Sequence, residues 1–170
     1  MIQKKVCMVG VYGTGKTSLV QQYVHSIFSV KYHSTVGVKI DRKVVDIGGT
    51  PVILVLWDVA GRDATQDIPA SYLKGAHAFL FVVDGTRRTT FEQLADLRAL
   101  ARGAAGDVPA MVALNKADLK AEWALTERDE AALVTEGWHH LRTSAKTGAC
   151  VEEAFGWLAG ATLRDGSKRP

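Results

Sequence analysis

Cysteine is scarce: Cys7 and Cys150 are the only two in 170 residues. Two thiols build no disulfide framework. Cys7, inside the apolar run Val6-Cys7-Met8-Val9, reads as a small buried hydrophobe, so a reducing, cytoplasmic setting is expected. Long hydrophobic runs are missing too. Stretches such as 52–57 fall far short of the ~20 residues that span a bilayer. The opening Met1-Ile2-Gln3-Lys4-Lys5 is neither a signal peptide nor a myristoylation site. Neither sign of charge prevails. Lys and Arg number 21 against 18 Asp and Glu, a net charge of +3. The basic pairs Lys4-Lys5, Arg87-Arg88 and Lys168-Arg169 are scattered, which argues against nucleic acid as a partner. Cys-x-x-Cys, His-Glu-x-x-His and Gly-x-Ser-x-Gly are all absent, setting aside redox, zinc-protease and serine-hydrolase chemistry. His139 and His140, adjacent on a predicted strand, face opposite ways and make a poor metal pair. No repeat, low-complexity tract or linker divides the chain. One domain over residues 1–170 is the expectation.

What is present is alternation. Short apolar runs at 2–9, 38–47, 51–57, 78–84, 109–115 and, more weakly, 139–143 are separated by stretches with helical spacing. Leu19, Val20, Tyr23, Val24 and Ile27 share one helix side, and Phe91, Leu94, Ala95, Leu97 and Ala101 share another. Thr89-x-x-Glu92 and Thr126-x-x-Asp129 read as capping boxes, and a last helix is predicted over 151–163. Gly48-Gly49 between two strand-like runs reads as a hairpin turn, which makes strands two and three antiparallel. The fold class that follows is α/β: a six-stranded, mostly parallel sheet with one antiparallel edge strand and helices on both faces.

Residues 10–18, Gly-Val-Tyr-Gly-Thr-Gly-Lys-Thr-Ser, place three glycines between the first strand and the first helix. They satisfy G-x-x-x-x-G-K-[ST] in the context that pattern requires. Glycines let backbone N–H groups close round phosphates, and the helix that follows turns its positive end to the same anion. Gly13, Thr14, Gly15, Lys16, Thr17 and Ser18 are the candidate phosphate-binding residues. Lys16 supplies a full charge and Thr17 a hard oxygen suited to Mg²⁺.

Asn115-Lys116-Ala117-Asp118 closes the fifth apolar run, at a strand's carboxyl edge where open parallel sheets bind ligands. The Asp118 carboxylate can accept from guanine N1–H and the 2-amino group. Adenine carries neither donor, so an unpaired carboxylate would reject it. Asn115 could serve the base's N7 edge or tie this loop to the phosphate cradle.

With these motifs the chain resembles the Ras-superfamily small GTPases, most closely the Rab-like branch. Thr35-Val36-Gly37-Val38 looks like the first switch, Trp57-Asp58-Val59-Ala60-Gly61 the second, and Ser144-Ala145-Lys146 the final base-contact loop. Ser71-Tyr72-Leu73-Lys74-Gly75-Ala76 and Phe81-Val82-Val83-Asp84 also follow the Rab-like pattern. The resemblance implies a GTP/GDP-binding switch with Mg²⁺ as cofactor. It implies Thr17 and Thr35 as metal ligands, with Asp58 acting through water. The amides of Thr35 and Gly61 would touch the γ-phosphate, and Lys16 would bridge β and γ. Phe28 would pack on the guanine edge, the Ala145 amide would meet its O6, and Lys146 would lie beside the base. Ser144 belongs to the same loop. Tyr32 sits where a family tyrosine can close over the phosphates. The implied partners are regulatory and effector proteins that read two nucleotide-dependent loops, about 28–38 and 60–70.

Departures from that pattern matter for turnover. Arg62 stands where the family usually has a glutamine that orients the attacking water. Tyr12 stands in the cradle where a small residue is usual. Slow hydrolysis dependent on a partner is the first expectation, with Lys16, Thr35, Gly61 and Arg62 as the catalytic set. A GTP-locked binding module is the alternative. A third reading makes Arg62 a finger supplied in cis, with Asp63 or Gln66. No prenylated cysteine tail is evident after residue 164. A monomer without its own lipid anchor is therefore expected, and this would suit a bacterial relative.

Overall fold

The structure is a computed structural model and describes residues 1–30, 34–64 and 66–166. Tyr32 lies outside the described residues. Six strands are found among the described residues: β1 (Ile2–Gly10), β2 (Val38–Ile47), β3 (Thr50–Val59), β4 (Ala78–Asp84), β5 (Ala110–Asn115) and β6 (His139–Arg142). They form one sheet in the order β2-β3-β1-β4-β5-β6. β2 pairs antiparallel to β3, and every other pairing is parallel. Gly48 and Gly49 make the β2–β3 turn with φ of 60° and 87°. Two positive φ values in succession are what a two-residue turn between twisted strands requires.

The helices are α1 (Lys16–His25), α2 (Ala70–Leu73), α3 (Arg88–Glu92), α4 (Leu94–Ala105), α5 (Glu127–Thr135) and α6 (Val151–Gly166), with a 3₁₀ turn at Lys120–Glu122. Strand periodicity sorts the apolar side chains onto two faces. On one, Val6, Met8, Leu80 and Val82 meet Leu19, Val20, Phe155 and Leu158 from α1 and α6. Tyr23 stacks on Phe155 there, with ring centroids 4.1 Å apart. On the other, Cys7, Val9, Phe79, Phe81 and Val83 meet Leu73, Leu94, Leu97 and Leu133. Burial pushes the Cys7 thiol up to about 12, so it is packing rather than chemistry. No helix among the described residues is long and apolar enough to cross a membrane.

Three local expectations need correction. The Thr126–Asp129 capping box forms, but the Thr89–Glu92 box does not: α3 starts at Arg88 after an Arg87 cap with no side-chain bond. Thr90 has another task, its Oγ1 accepting the Asp84 amide at 3.0 Å and so fastening the helix start to the end of β4. The helix expected through Phe91 to Ala101 is broken between α3 and α4 at Gln93. Ile27 is not on the buried side of α1. That helix ends when Ser26 adopts a left-handed conformation (φ 55°), and Ile27 is exposed beyond it.

Candidate functional site

The parallel strands end together along one edge, where β1, β3, β4 and β5 deliver Gly10, Asp58, Asp84 and Asn115. A cavity of about 790 Å³ opens at that edge, within the size range of ligand pockets, roughly 300–1,000 Å³. Of the residues expected from sequence, it is lined by Gly13, Gly15, Lys16, Thr17, Ser18, Phe28, Thr35, Gly61, Asn115, Lys116, Asp118, Ala145 and Lys146. Tyr12 and Ile27 also line it, the second without any forewarning in the sequence beyond its place after α1.

Between β1 and α1 every carbonyl from residue 10 to 14 has a donor. Gly10 O accepts the Arg62 amide (3.1 Å). Val11 O accepts Thr14 Oγ1 and Lys16 Nζ, both at 3.0 Å. Tyr12 O accepts Arg87 Nη2 (2.7 Å), Gly13 O accepts Lys116 Nζ (3.1 Å) and Thr14 O accepts Asn115 Nδ2 (3.0 Å). With the carbonyl oxygens occupied, the loop's N–H groups and the open end of α1 form an anion-binding concavity. Space fixes the glycines. A Cβ on Gly15, whose φ is 101°, would sit 2.2 Å from Asn115 Nδ2, and one on Gly61 would sit 2.8 Å from Lys16 Nζ. Thr14 is buried, spends its hydroxyl on Val11, and presents no side chain to the cavity.

Lys16 is only 6% exposed. Burial pulls its ammonium down to about 8 despite the attraction of Asp58, and the positive charge of Arg87 adds to the lowering. A cation held this way against its desolvation is poised for an anionic ligand. Next to it, Thr17 Oγ1 donates to Asp58 Oδ2 at 2.6 Å and meets Thr35 Oγ1 at 2.6 Å. Asp58 is almost wholly buried, and its Oδ1 has no hydrogen-bond partner among the described residues. Burial raises its pKa, against the opposing pull of Thr17, Lys16 and Lys39. Two hydroxyls beside an orphaned carboxylate oxygen form the hard-oxygen donor set that a small divalent cation accepts.

At the far end, Asn115 acts as a tie. Besides holding Thr14 O, its Oδ1 accepts Thr143 Oγ1 (3.2 Å) and the Ala145 amide (3.3 Å). The amide expected to face a base oxygen thus has a bond to the protein as well. Ser144 Oγ accepts the Thr147 amide (3.1 Å) and donates to Asp118 Oδ1 (2.7 Å). Ser144 is therefore a brace behind Asp118 rather than part of the cavity wall. Phe28 is 38% exposed at the cavity and belongs to neither core cluster.

The Arg62 guanidinium points elsewhere. Its Nε and Nη2 pair with Asp67 at 2.8 and 3.2 Å. Asp63 and Gln66, considered as its helpers, bond each other through Asp63 N to Gln66 O (3.0 Å) and Gln66 N to Asp63 Oδ1 (2.8 Å). The Tyr12 hydroxyl reaches Ser34 Oγ at 3.0 Å, bridging the cradle to the segment carrying Thr35.

The Ras family model matches residues 5–164. The chain is 35% identical over 165 residues to the Ras-related protein Rab-1 of Theileria parva, covering 95% of this chain and 74% of that one. It is 36% identical over 156 residues to the Ras-related protein Rab-4B of Homo sapiens (89% and 72% covered). It is 35% identical over 153 residues to the Ras-related protein RABA2d of Arabidopsis thaliana (89% and 70%). Nothing in these relatives supports the reading of a locked module without turnover. The fold, the motif order and these matches converge: the chain belongs to the Ras family, as a Rab-like small GTPase that binds guanine nucleotide.

Proposed function

We propose that residues 1–170 act as one G domain, a switch that holds GTP or GDP with Mg²⁺ in the 790 Å³ cavity and hydrolyses GTP slowly. The observation that carries this reading is that all five carbonyls from Gly10 to Thr14 already have donors, in a glycine-rich loop that opens α1 beside the buried ammonium of Lys16. The phosphates lie there, with Lys16 on the outer two and the amides of Thr35 and Gly61 on the last. Thr17, Thr35 and, through water, Asp58 hold Mg²⁺, which when bound neutralises charge between the outer phosphates. Asp118 reads N1–H and the 2-amino group of guanine. Phe28 and Lys146 cover the base, and the Ala145 amide meets O6.

Thr35 and Gly61 touch this region from two loops, so loss of the last phosphate removes contacts that hold both. Effector and regulatory proteins that read those loops bind one state in preference. The protein acts as a monomer. Slow turnover follows from Arg62. A guanidinium cannot accept the proton or hydrogen bond that orients a water, and here it is engaged by Asp67. Single-turnover hydrolysis of GTP tests this. Arg62→Gln is expected to raise the rate several-fold, and an unchanged rate overturns the assignment of slowness to Arg62. An equal affinity for ATP and GTP overturns the reading of the site.

A further inference from the structure

Arg87 belongs to none of the nucleotide-binding motifs, yet its guanidinium reaches the loop between β1 and α1. Nε donates to Asp84 Oδ2 at 3.1 Å and Nη2 to Tyr12 O at 2.7 Å. Lys116 converges on the same carboxylate: its Nζ lies 2.8 Å from Asp84 Oδ2 and donates to Gly13 O at 3.1 Å. Asp84 is 1% exposed. One buried carboxylate thus aims two cations at two successive carbonyls. The fork is sterically committed as well, since a Cβ on Gly13 would stand 3.3 Å from Arg87 Nη2.

We propose that Arg87 is a positioning residue for the phosphate-binding loop, holding the Tyr12 carbonyl turned out of the cavity so that the Gly13 N–H of the same peptide is turned in. The Tyr12–Gly13 peptide needs such a clamp. Gly13 has φ 77° and no Cβ, so this peptide can rotate with little steric resistance, and rotation would point a carbonyl oxygen at the phosphates. Lys116 and Asn115 fix the next two carbonyls, leaving this one to Arg87. A lysine cannot replace it, because an ammonium lacks the planar fork that spans Asp84 and the carbonyl together.

This inference rests on the proposed phosphate site, and the experiment separates the two. Dissociation of a fluorescent GDP analogue is followed by stopped flow for the wild type, Arg87→Ala, Arg87→Lys, Lys16→Ala and the remote Arg102→Ala. Arg87→Ala and Arg87→Lys are each expected to release GDP about tenfold faster, the scale of one charge-assisted bond. Their GTP-to-XTP affinity ratio should stay at the wild-type value, since the base end is untouched, and Arg102→Ala should match wild type. General loosening would lower that ratio too, and seeing it fall overturns the proposal. So does a wild-type release rate in either Arg87 variant. If Lys16→Ala loses nucleotide while Arg87→Ala does not, the inference alone fails. If Lys16→Ala binds normally, the phosphate site fails with it.

Discussion

Replacing Asp118 by asparagine turns base recognition into a measurement, because the structure dictates which way the new amide must face. Ser144 Oγ accepts the Thr147 amide, so its single proton is committed to Asp118 Oδ1. In Asp118→Asn that bond keeps the carbonyl oxygen on the Ser144 side and swings the NH₂ group to the cavity. Guanine then meets donor against donor. Two hydrogen bonds to a charged acceptor are lost, each worth about 1.5–3 kcal/mol, so GTP should weaken by about 10²–10⁴-fold. Xanthine carries an oxygen in place of the 2-amino group. It can accept from the new NH₂, recovering one bond of about 1 kcal/mol or more. Competition against a fluorescent nucleotide, run with GTP, XTP and ATP on both proteins, reads the outcome as an inverted GTP-to-XTP ratio. A ratio that stays in favour of GTP refutes the placement of Asp118 against the base.

Thr17→Ala removes the hydroxyl beside the orphaned Asp58 oxygen. Nucleotide release from it should become nearly independent of chelator, whereas the wild type should release faster in EDTA. Gly15→Ala must place a Cβ 2.2 Å from Asn115 Nδ2 at a φ of 101°. Backbone strain of about 1–2 kcal/mol and a displaced buried amide costing about 1–3 kcal/mol sum to about 2–5 kcal/mol. Denaturant unfolding of the nucleotide-free proteins reads this loss, since excess GDP would add any change in nucleotide affinity. Asp129 receives Arg88 on both oxygens and the Thr126 amide, which together hold its carboxyl well below the usual carboxylate range. A depressed folded-state pKa contributes stability above the unfolded value of about 3.9 and loses it as pH falls. Asp129→Asn should therefore melt below wild type at pH 7, with the gap narrowing progressively below pH 4. A gap that widens in acid contradicts the pairing.

Where sequence alone was sufficient, a strict local constraint was at work. The Gly48-Gly49 turn, the two-faced strands and the Thr126 cap each follow from one geometric requirement written in consecutive residues. Glycine at 15 was legible for the same reason. What stayed hidden was decided by residues far apart in the chain. The Thr89–Glu92 spacing is as good a capping box as Thr126–Asp129. It fails because Thr90 is claimed by the end of β4, six residues upstream, and the helix starts two residues earlier. The role of Asn115 was open until the partners at 14, 143 and 145 were placed around it. Arg87 carried no motif at all. Its relation to Tyr12 spans 75 positions and exists only because β1 and β4 are neighbours in the sheet.

The site concentrates features that would destabilise a protein anywhere else. Glycines stand where side chains are forbidden, an ammonium is buried at Lys16, an acceptor on Asp58 is left without a donor, and Lys116 takes a positive φ of 66°. Local rules broken together on one edge mark a place shaped for something other than stability. The sheet behind that edge can carry the load because both its faces are packed, one by α1 and α6 and the other by α2, α4 and α5. Each liability is of the kind an anion or a cation relieves: the positive end of a helix, a desolvated positive charge, and a carboxylate oxygen unpartnered among the described residues. A ligand that brings phosphates and a metal together answers all three at once. Folding and binding are therefore coupled here, and nucleotide occupancy should govern the stability of the whole domain.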